Sequence, residues 1–272
     1  MSLEETKQLL RTFRISPNKL LGQNFMVEPA FYFKMCEYAA LGSDDVVLDA
    51  GAGFGFLSRF IAERCREVIA VEKDPQVAQV LKQQTKDCSN LKVIVGDVLQ
   101  ADLPCFDKSV SIPPYYLSSN LVEWLMQREL KCAVLIVQKE FAEKLVAPVG
   151  SEEYGWLGVM VSRCMETQLL DAIPKDAFYP EPKVDSIIIS LKPFEKPLFN
   201  VNRPLLFRQL TKWLFSQRNK KVSKATTSFL KANRQLSKEE AEKVAVGLPF
   251  KDKRPRELTP QQFGELANAV AD

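Results

Sequence analysis

Residues Val46 to Gly55, VVLDAGAGFG, constrain this chain more than any other stretch. Val46, Val47 and Leu48 form an apolar run long enough for a buried strand. Asp49 follows, and glycines then stand at 51, 53 and 55. Beyond them Phe56, Leu57, Phe60 and Ile61 recur at helical spacing. The order is strand, tight glycine turn, helix. Glycine belongs where the backbone takes positive φ or must lie against a ligand, and the helix start behind the turn presents unpaired N–H groups. A turn with no ligand would show the same pattern. Two features favour a ligand. The apolar run Val68–Val71 ends in Glu72, 21 positions after Gly51, and an acidic residue so placed suits a ribose hydroxyl pair. The spacing is GxGxG, whereas the dinucleotide pattern GxGxxG would place its third glycine at Phe56.

From Asp44 onward strand and helix signals alternate. Strands are expected at Val46–Leu48, Val68–Val71, Leu91–Val95, Lys108–Ser111 and Ala133–Val137. Helices are expected at Phe56–Arg64, Pro75–Gln84, Ser118–Arg128 and Lys139–Ala147. Such alternation predicts a parallel sheet covered on both faces, with ligands at the carboxyl ends of its strands. Gly96-Asp97 falls at one such end, where Asp97 would accept from an adenine amine or cap a turn. Ser111-Ile112-Pro113-Pro114-Tyr115 falls at another. Two prolines stiffen that backbone and remove two donors, so the segment is a plain turn or a platform for a flat base. Gln23 and Asn24 interrupt an apolar segment, as a loop with local bonds or as a lid over a ligand. Phe178 and Tyr179 lie in a proline-rich loop, AFYPEPK, and would be exposed or clamp-like if it rims a pocket. Ser186–Leu191 reads as the last strand. After Pro193 and Pro197 the pattern is helical to the end, which divides the chain into residues 1–197 and 198–272.

Charge follows the same division. Residues 200–272 carry 15 Lys and Arg against 7 Asp and Glu, a net +8, while the preceding 199 carry 22 against 27, a net −5. A basic appendix on an acidic core points to a polyanion, and Arg218, Lys220, Lys221 and Lys224 are its densest cluster. There is no histidine, which excludes histidine triads, histidine bases and histidine metal ligands. The six cysteines are widely spaced without a CxxC pair, as expected of reduced thiols in a cytosolic protein with no metal site. No apolar run reaches the length of a membrane span, and the charged first helix lacks the apolar core of a signal peptide.

Taken in order, these motifs resemble those of the KsgA-type small-subunit rRNA adenine N6,N6-dimethyltransferases. The carrying stretches are Lys19–Met26 (KLLGQNFM), Asp49–Gly55, Glu72, Gly96-Asp97, Val137–Gly150, Tyr154–Val161, Phe178–Ser186 (FYPEPKVDS) and Phe215–Arg218 (FSQR). Asp49 stands where many members have glutamate. The resemblance implies a class I S-adenosylmethionine-dependent, Rossmann-like α/β sheet followed by a small all-helical domain. It implies S-adenosylmethionine held by Gln23, Asn24, Met26, Gly51, Gly53, Glu72, Asp97, Val98 and Ile112. It places the chemistry at Ile112, Pro113, Tyr115 and Phe178, with the last two rings sandwiching an everted adenine. It implies RNA contacts at Arg218, Lys220, Lys221 and Lys224, and as partners small-subunit rRNA and the immature small subunit. The chain is expected to act as a cytoplasmic monomer.

One departure falls on the chemistry. The family pattern is Asn, an apolar residue, Pro, Tyr, and the Asn position is Ile112 here. In the family that side chain accepts from adenine N6, which Ile112 cannot do. Ser111 would compensate only in a shifted loop. The expected activity is therefore adenine dimethylation slowed by the missing acceptor. The alternatives are a small-subunit assembly factor with methylation secondary or lost and, less favoured, a DNA adenine or transcription-factor role.

Overall fold

The computed structural model describes residues 2–18, 22–234 and 236–271. Lys19, Leu20 and Leu21, which open the KLLGQNFM motif, lie outside the described residues. The chain divides into two compact units, residues 1–142 with 167–193, and residues 143–166 with 194–272.

The first unit opens with α1 (Leu3–Thr12), β1 (Phe25–Met26) and α2 (Ala30–Tyr38). Ser2 and Glu5 close a capping box on α1, which satisfies two free donors at its start. The helix ends in a Schellman turn: Ile15 N–H donates to Leu10 O at 2.9 Å and Arg14 N–H to Arg11 O at 3.2 Å. Leu10 and Ile15 pack together below it. The left-handed position of that turn normally takes glycine, yet it holds Arg14, with φ +53°. A side chain there costs roughly 1–2 kcal/mol.

Next come β2 (Val46–Ala50), α3 (Phe56–Ala62), β3 (Glu67–Glu72), α4 (Pro75–Gln84), β4 (Leu91–Val95), β5 (Lys108–Ser111), α5 (Ser118–Leu125), β6 (Cys132–Gln138) and α6 (Lys139–Leu145). After α7 (Trp156–Cys164) of the second unit, the chain adds β7 (Met165–Ile173), β8 (Phe178–Tyr179) and β9 (Ser186–Pro193). The main sheet has the order β4-β3-β2-β5-β6-β9-β7. Its first five strands are parallel, and β9 runs antiparallel to β6. The five strands expected from the alternation pair in parallel, and the later strands make the whole sheet a mixed one. Helices α3, α4 and α5 make the crossovers from β2 to β3, β3 to β4 and β5 to β6, as parallel neighbours require. Every residue of β2 is buried, as a strand covered on both faces requires. Strand order reverses between β2 and β5, so the crevice for a ligand opens at their carboxyl ends. A second, two-stranded sheet pairs β1 with β8, Phe25 opposite Tyr179 and Met26 opposite Phe178.

The second unit contains α7, α8 (Pro204–Ser216), α9 (Val222–Arg234), α10 (Lys238–Gly247) and α11 (Pro260–Ala271). Its core joins Phe207, Leu210, Leu214, Phe229, Phe263 and Leu266. Tyr154 and Val159 pack into the same core, and Tyr154 Oη donates to Leu258 O at 2.9 Å. Residues 143–166, read from sequence as part of the first domain, therefore group with the helical unit. The break near residue 197 is only one of the places where the chain passes between units.

Candidate active site

A cavity of about 810 Å³, its open mouth included, lies over the carboxyl ends of the parallel strands. The glycine turn after β2 forms its floor. Gly51 and Ala52 N–H both donate to Val71 O, at 2.8 and 3.0 Å, which ties the turn to β3. Gly51 has φ +78°, and a Cβ there would meet Pro114 Cδ at 2.8 Å. The turn and the Ile112–Tyr115 loop thus approach more closely than any side chain allows. Gly55 caps α3 at φ +85°, where a Cβ would lie 2.4 Å from Leu81 Cδ1 of α4.

Two carboxyls surround this turn. Glu72 ends β3; its Oε2 accepts from Gly53 N–H at 2.9 Å and its Oε1 from Asp74 N–H at 2.8 Å. Burial raises the Glu72 pKa despite these bonds, so an additional donor to its oxygens is favoured. Asp49 is fully buried beneath the turn and accepts from Ser58 Oγ at 2.6 Å. Burial, opposed by the Ser58 bond and aided by the Glu72 charge, pushes its carboxyl up to about 7.

That shift has a definite sign. A carboxyl that holds its proton more tightly when folded adds stability at low pH. It loses that contribution as pH rises from about 4, the unfolded value, to about 7. Asp49→Asn should gain on the wild type by roughly 1–4 kcal/mol between pH 4.5 and 8. Urea unfolding at the two pH values measures the gain; parallel stabilities would show that Asp49 ionises normally.

Asp97, after β4, accepts from Leu99 N–H and from Lys73 Nζ, both at 3.0 Å. Burial pushes its pKa up, but the Lys73 and Leu99 bonds and the Lys73 charge outweigh it and hold the pKa down. Lys73 was not anticipated, although it directly follows Glu72. Gln23 is also more committed than a free ligand-binding amide. Its Nε2 donates to Asp74 Oδ2 at 2.8 Å and its Oε1 accepts from Asn18 N–H at 2.8 Å. It therefore fastens the N-terminal segment to the cap of α4.

The loop after β5 settles the place of Ser111. Its hydroxyl accepts from Ala50 N–H at 2.8 Å and contacts Leu48 O and Ser109 Oγ within the sheet. It is fully buried, so the compensation considered for it does not occur. Ile112 is half-buried, packs on the main core and lines the cavity. Pro113 and Tyr115 follow on the same wall, and Tyr115 Oη is hydrogen-bonded to Ser186 Oγ at 2.5 Å. Phe178 also lines the cavity, but it is only 2% exposed and part of the core. Of the two readings of Phe178, exposed or clamp-like, the exposed one is corrected: the ring is set into the cavity wall, because β8 is pinned against β1.

All four positions expected to carry the chemistry line this cavity, as do eight of the nine expected to hold the cofactor. Met26 is the exception. It is buried and lines an adjoining pocket with Tyr32 and Asp49. Phe25, not anticipated, adds a cavity wall and stacks on Phe54 at 4.1 Å.

In the helical unit the four basic positions sit at the turn between α8 and α9. Lys220 and Lys221 are exposed, and so is Lys224 in the first turn of α9. Lys221 pairs with Asp252 at 2.9 Å and Lys220 donates to Gln217 Oε1 at 2.9 Å. Arg218 instead clamps a loop, its guanidinium donating to Glu152 O at 2.8 Å and Ser151 O at 3.0 Å.

The strand order with its reversed β9, and the glycine turn facing an acidic strand end, define the class I methyltransferase architecture. A sequence model of the family described as ribosomal RNA adenine dimethylase matches residues 15–266. The protein "Probable ribosomal RNA small subunit methyltransferase A" of Methanothermobacter thermautotrophicus is 37% identical over 98% of this chain and 96% of its own. The crystal structure of a dimethyladenosine transferase from Plasmodium falciparum superposes with a TM-score of 0.74 at 27% identity, covering 89% of this chain and 95% of that one. That of the 23S rRNA methyltransferase ErmE does so with 0.64 at 26% identity, over 91% and 100%. The chain belongs to the ribosomal RNA adenine dimethylase family.

Proposed function

We propose that this chain dimethylates adenine N6 in small-subunit ribosomal RNA, acting as a single chain on the assembling subunit. S-adenosylmethionine is the methyl donor; when bound, it supplies an electrophilic methyl on a sulfonium. The observation that carries the reading is Glu72, a half-buried carboxylate with its pKa raised, anchored to the Gly53 N–H and facing the glycine cradle. A ribose offers two O–H donors to such a group. Gly51 and Gly53 leave the cradle free of side chains, and Asp97 and Val98 border the space for an adenine ring.

The chain's own residues then have three tasks. Tyr115 and Phe178 hold the everted target adenine between rings, with Tyr115 oriented by Ser186; stacking contributes about 1–3 kcal/mol per base. The Pro113 carbonyl accepts from the N6 amine, which frees its lone pair as positive charge develops. Ile112 keeps that wall dry but offers no acceptor, so alignment carries more of the rate enhancement. No histidine base enters. Lys220, Lys221 and Lys224 supply cations to RNA phosphates. The glycine cradle, Glu72 and Asp97 are all present, which supports methyl transfer over an assembly factor that has lost it.

The test is transfer of tritium from labelled S-adenosylmethionine to under-methylated small subunits, followed by digestion to nucleosides. Label should appear in N6,N6-dimethyladenosine. Subunits that bind the protein yet remain unlabelled would overturn the proposal.

A further inference from the structure

A second cleft lies in the first unit, and methyl transfer as derived above makes no use of it. Lys7, Arg11 and Arg14 line it, with Ser16, Pro17 and the ring of Tyr179, and it encloses about 830 Å³ counted with its mouth. Three observations bear on what it holds.

The first is charge. Arg11 and Arg14 are exposed, and neither has a carboxylate within ion-pair distance among the described residues. Lys7 meets Glu4 at 3.5 Å and stands over the Tyr179 ring at 5.5 Å. Cations of one sign around a concavity concentrate an anion there. The second is the backbone at Arg14. It holds the left-handed position of the α1 Schellman turn at φ +53°, where glycine would be unstrained. A side chain kept at a strained position is a pointer to function. The third is adjacency. Phe178 and Tyr179 are consecutive in β8, and consecutive strand residues face opposite sides. Phe178 lines the methyl-transfer cavity while Tyr179 lines the basic cleft.

We propose that this cleft binds the RNA strand beside the target adenine, with phosphates on Arg11 and Arg14 and a flanking base on Tyr179. The proposal rests on the reading of the chain as an RNA methyltransferase and adds a subsite to it. Unpaired cations beside an aromatic ring match the alternation of phosphate and base along a single strand. This ring belongs to the residue directly after the one whose ring faces the target base. A strand entering here therefore needs no long excursion to present its neighbour.

The test uses the full chain and labelled, under-methylated small-subunit RNA, without methyl donor, in a salt titration. The double variant Arg11→Ala, Arg14→Gly should flatten the log–log salt slope by about 1.4, at about 0.7 per phosphate contact on a single strand. At 0.15 M salt that corresponds to a roughly tenfold rise in Kd. Arg14→Gly alone should leave the melting temperature unchanged or raise it, which separates a lost contact from a damaged fold. Tyr179→Ser should weaken binding at least fivefold and Tyr179→Phe should not. An unchanged slope and Kd in the double variant, or full binding by Tyr179→Ser, overturns the subsite. Tritium transfer by the wild type, measured separately, reports on the methyltransferase reading whichever way the cleft is decided.

Discussion

Glu72→Gln should weaken S-adenosylmethionine binding about 100-fold, or about 2.7 kcal/mol, while the chain still folds. The carboxylate has two oxygens, each already accepting one backbone N–H, from Gly53 and Asp74. Each oxygen keeps a lone pair for a further donor. Hydrogen bonds to a charged group contribute about 1.5–3 kcal/mol, and a ribose diol provides two. Glutamine keeps one acceptor oxygen and turns its amide NH2, a donor, toward the other N–H. One ribose bond is then lost outright and the other loses its charge. For the apo fold two effects oppose. Burial of the charge, which raises the Glu72 pKa, is relieved, and one backbone N–H loses its acceptor. Their difference should stay within about 1 kcal/mol. Calorimetric titration with S-adenosylmethionine gives the first quantity and thermal melting the second. A change in Kd below tenfold, with melting intact, would remove Glu72 from the ribose site.

The parts of this site that could be read in the sequence are those that a backbone constraint marks. Glycines at 51, 53 and 55 stand where φ is positive, and Glu72 and Asp97 follow apolar strands, so residue type and spacing reveal them. What stayed hidden depends on partners distant in sequence. Lys73 matters because Asp97, 24 positions on, accepts from it. Gln23 matters because the cap of α4 receives its amide across 51 positions. A role for Ser111 in a shifted loop stays open on sequence alone because nothing near it in sequence shows that Ala50 N–H already donates to it. The same holds at the level of elements. Met165–Ile173 reads METQLLDAI, without the alternation that marks a strand, yet it forms β7 at the sheet edge. Residues 143–166 group with the helical unit through Tyr154 and Val159, whose core partners are distant in sequence. The proline-rich loop leaves Phe178 exposed or clamp-like on sequence alone, and the structure buries it. Its pairing with Met26, which seats it in the wall, is between residues more than 150 positions apart.

Ile112→Asn should raise the rate of methyl transfer by roughly 5- to 150-fold, the equivalent of one hydrogen bond of 1–3 kcal/mol made as charge develops on N6. The position lines the cavity beside Pro113, so a side-chain amide there has access to the amine. The loop itself should hold: Ser111 fixes it to β2 through Ala50 N–H, and Pro114 packs against Gly51. The substitution also removes apolar area, because Ile112 is half-buried against the main core; that should lower stability by about 1–2 kcal/mol. Rate and stability are thus expected to move in opposite directions, which a general improvement or a general loosening would not produce. Ile112→Val serves as the control. It keeps an apolar side chain without an acceptor and should leave the rate within about twofold of wild type. Single-turnover transfer to under-methylated subunits, with S-adenosylmethionine saturating, isolates the chemical step from donor affinity. A slower Ile112→Asn enzyme that still folds and binds the donor would mean that the acceptor for N6 lies elsewhere. The Pro113 carbonyl would then be sufficient, and the isoleucine would act by excluding water from the amine.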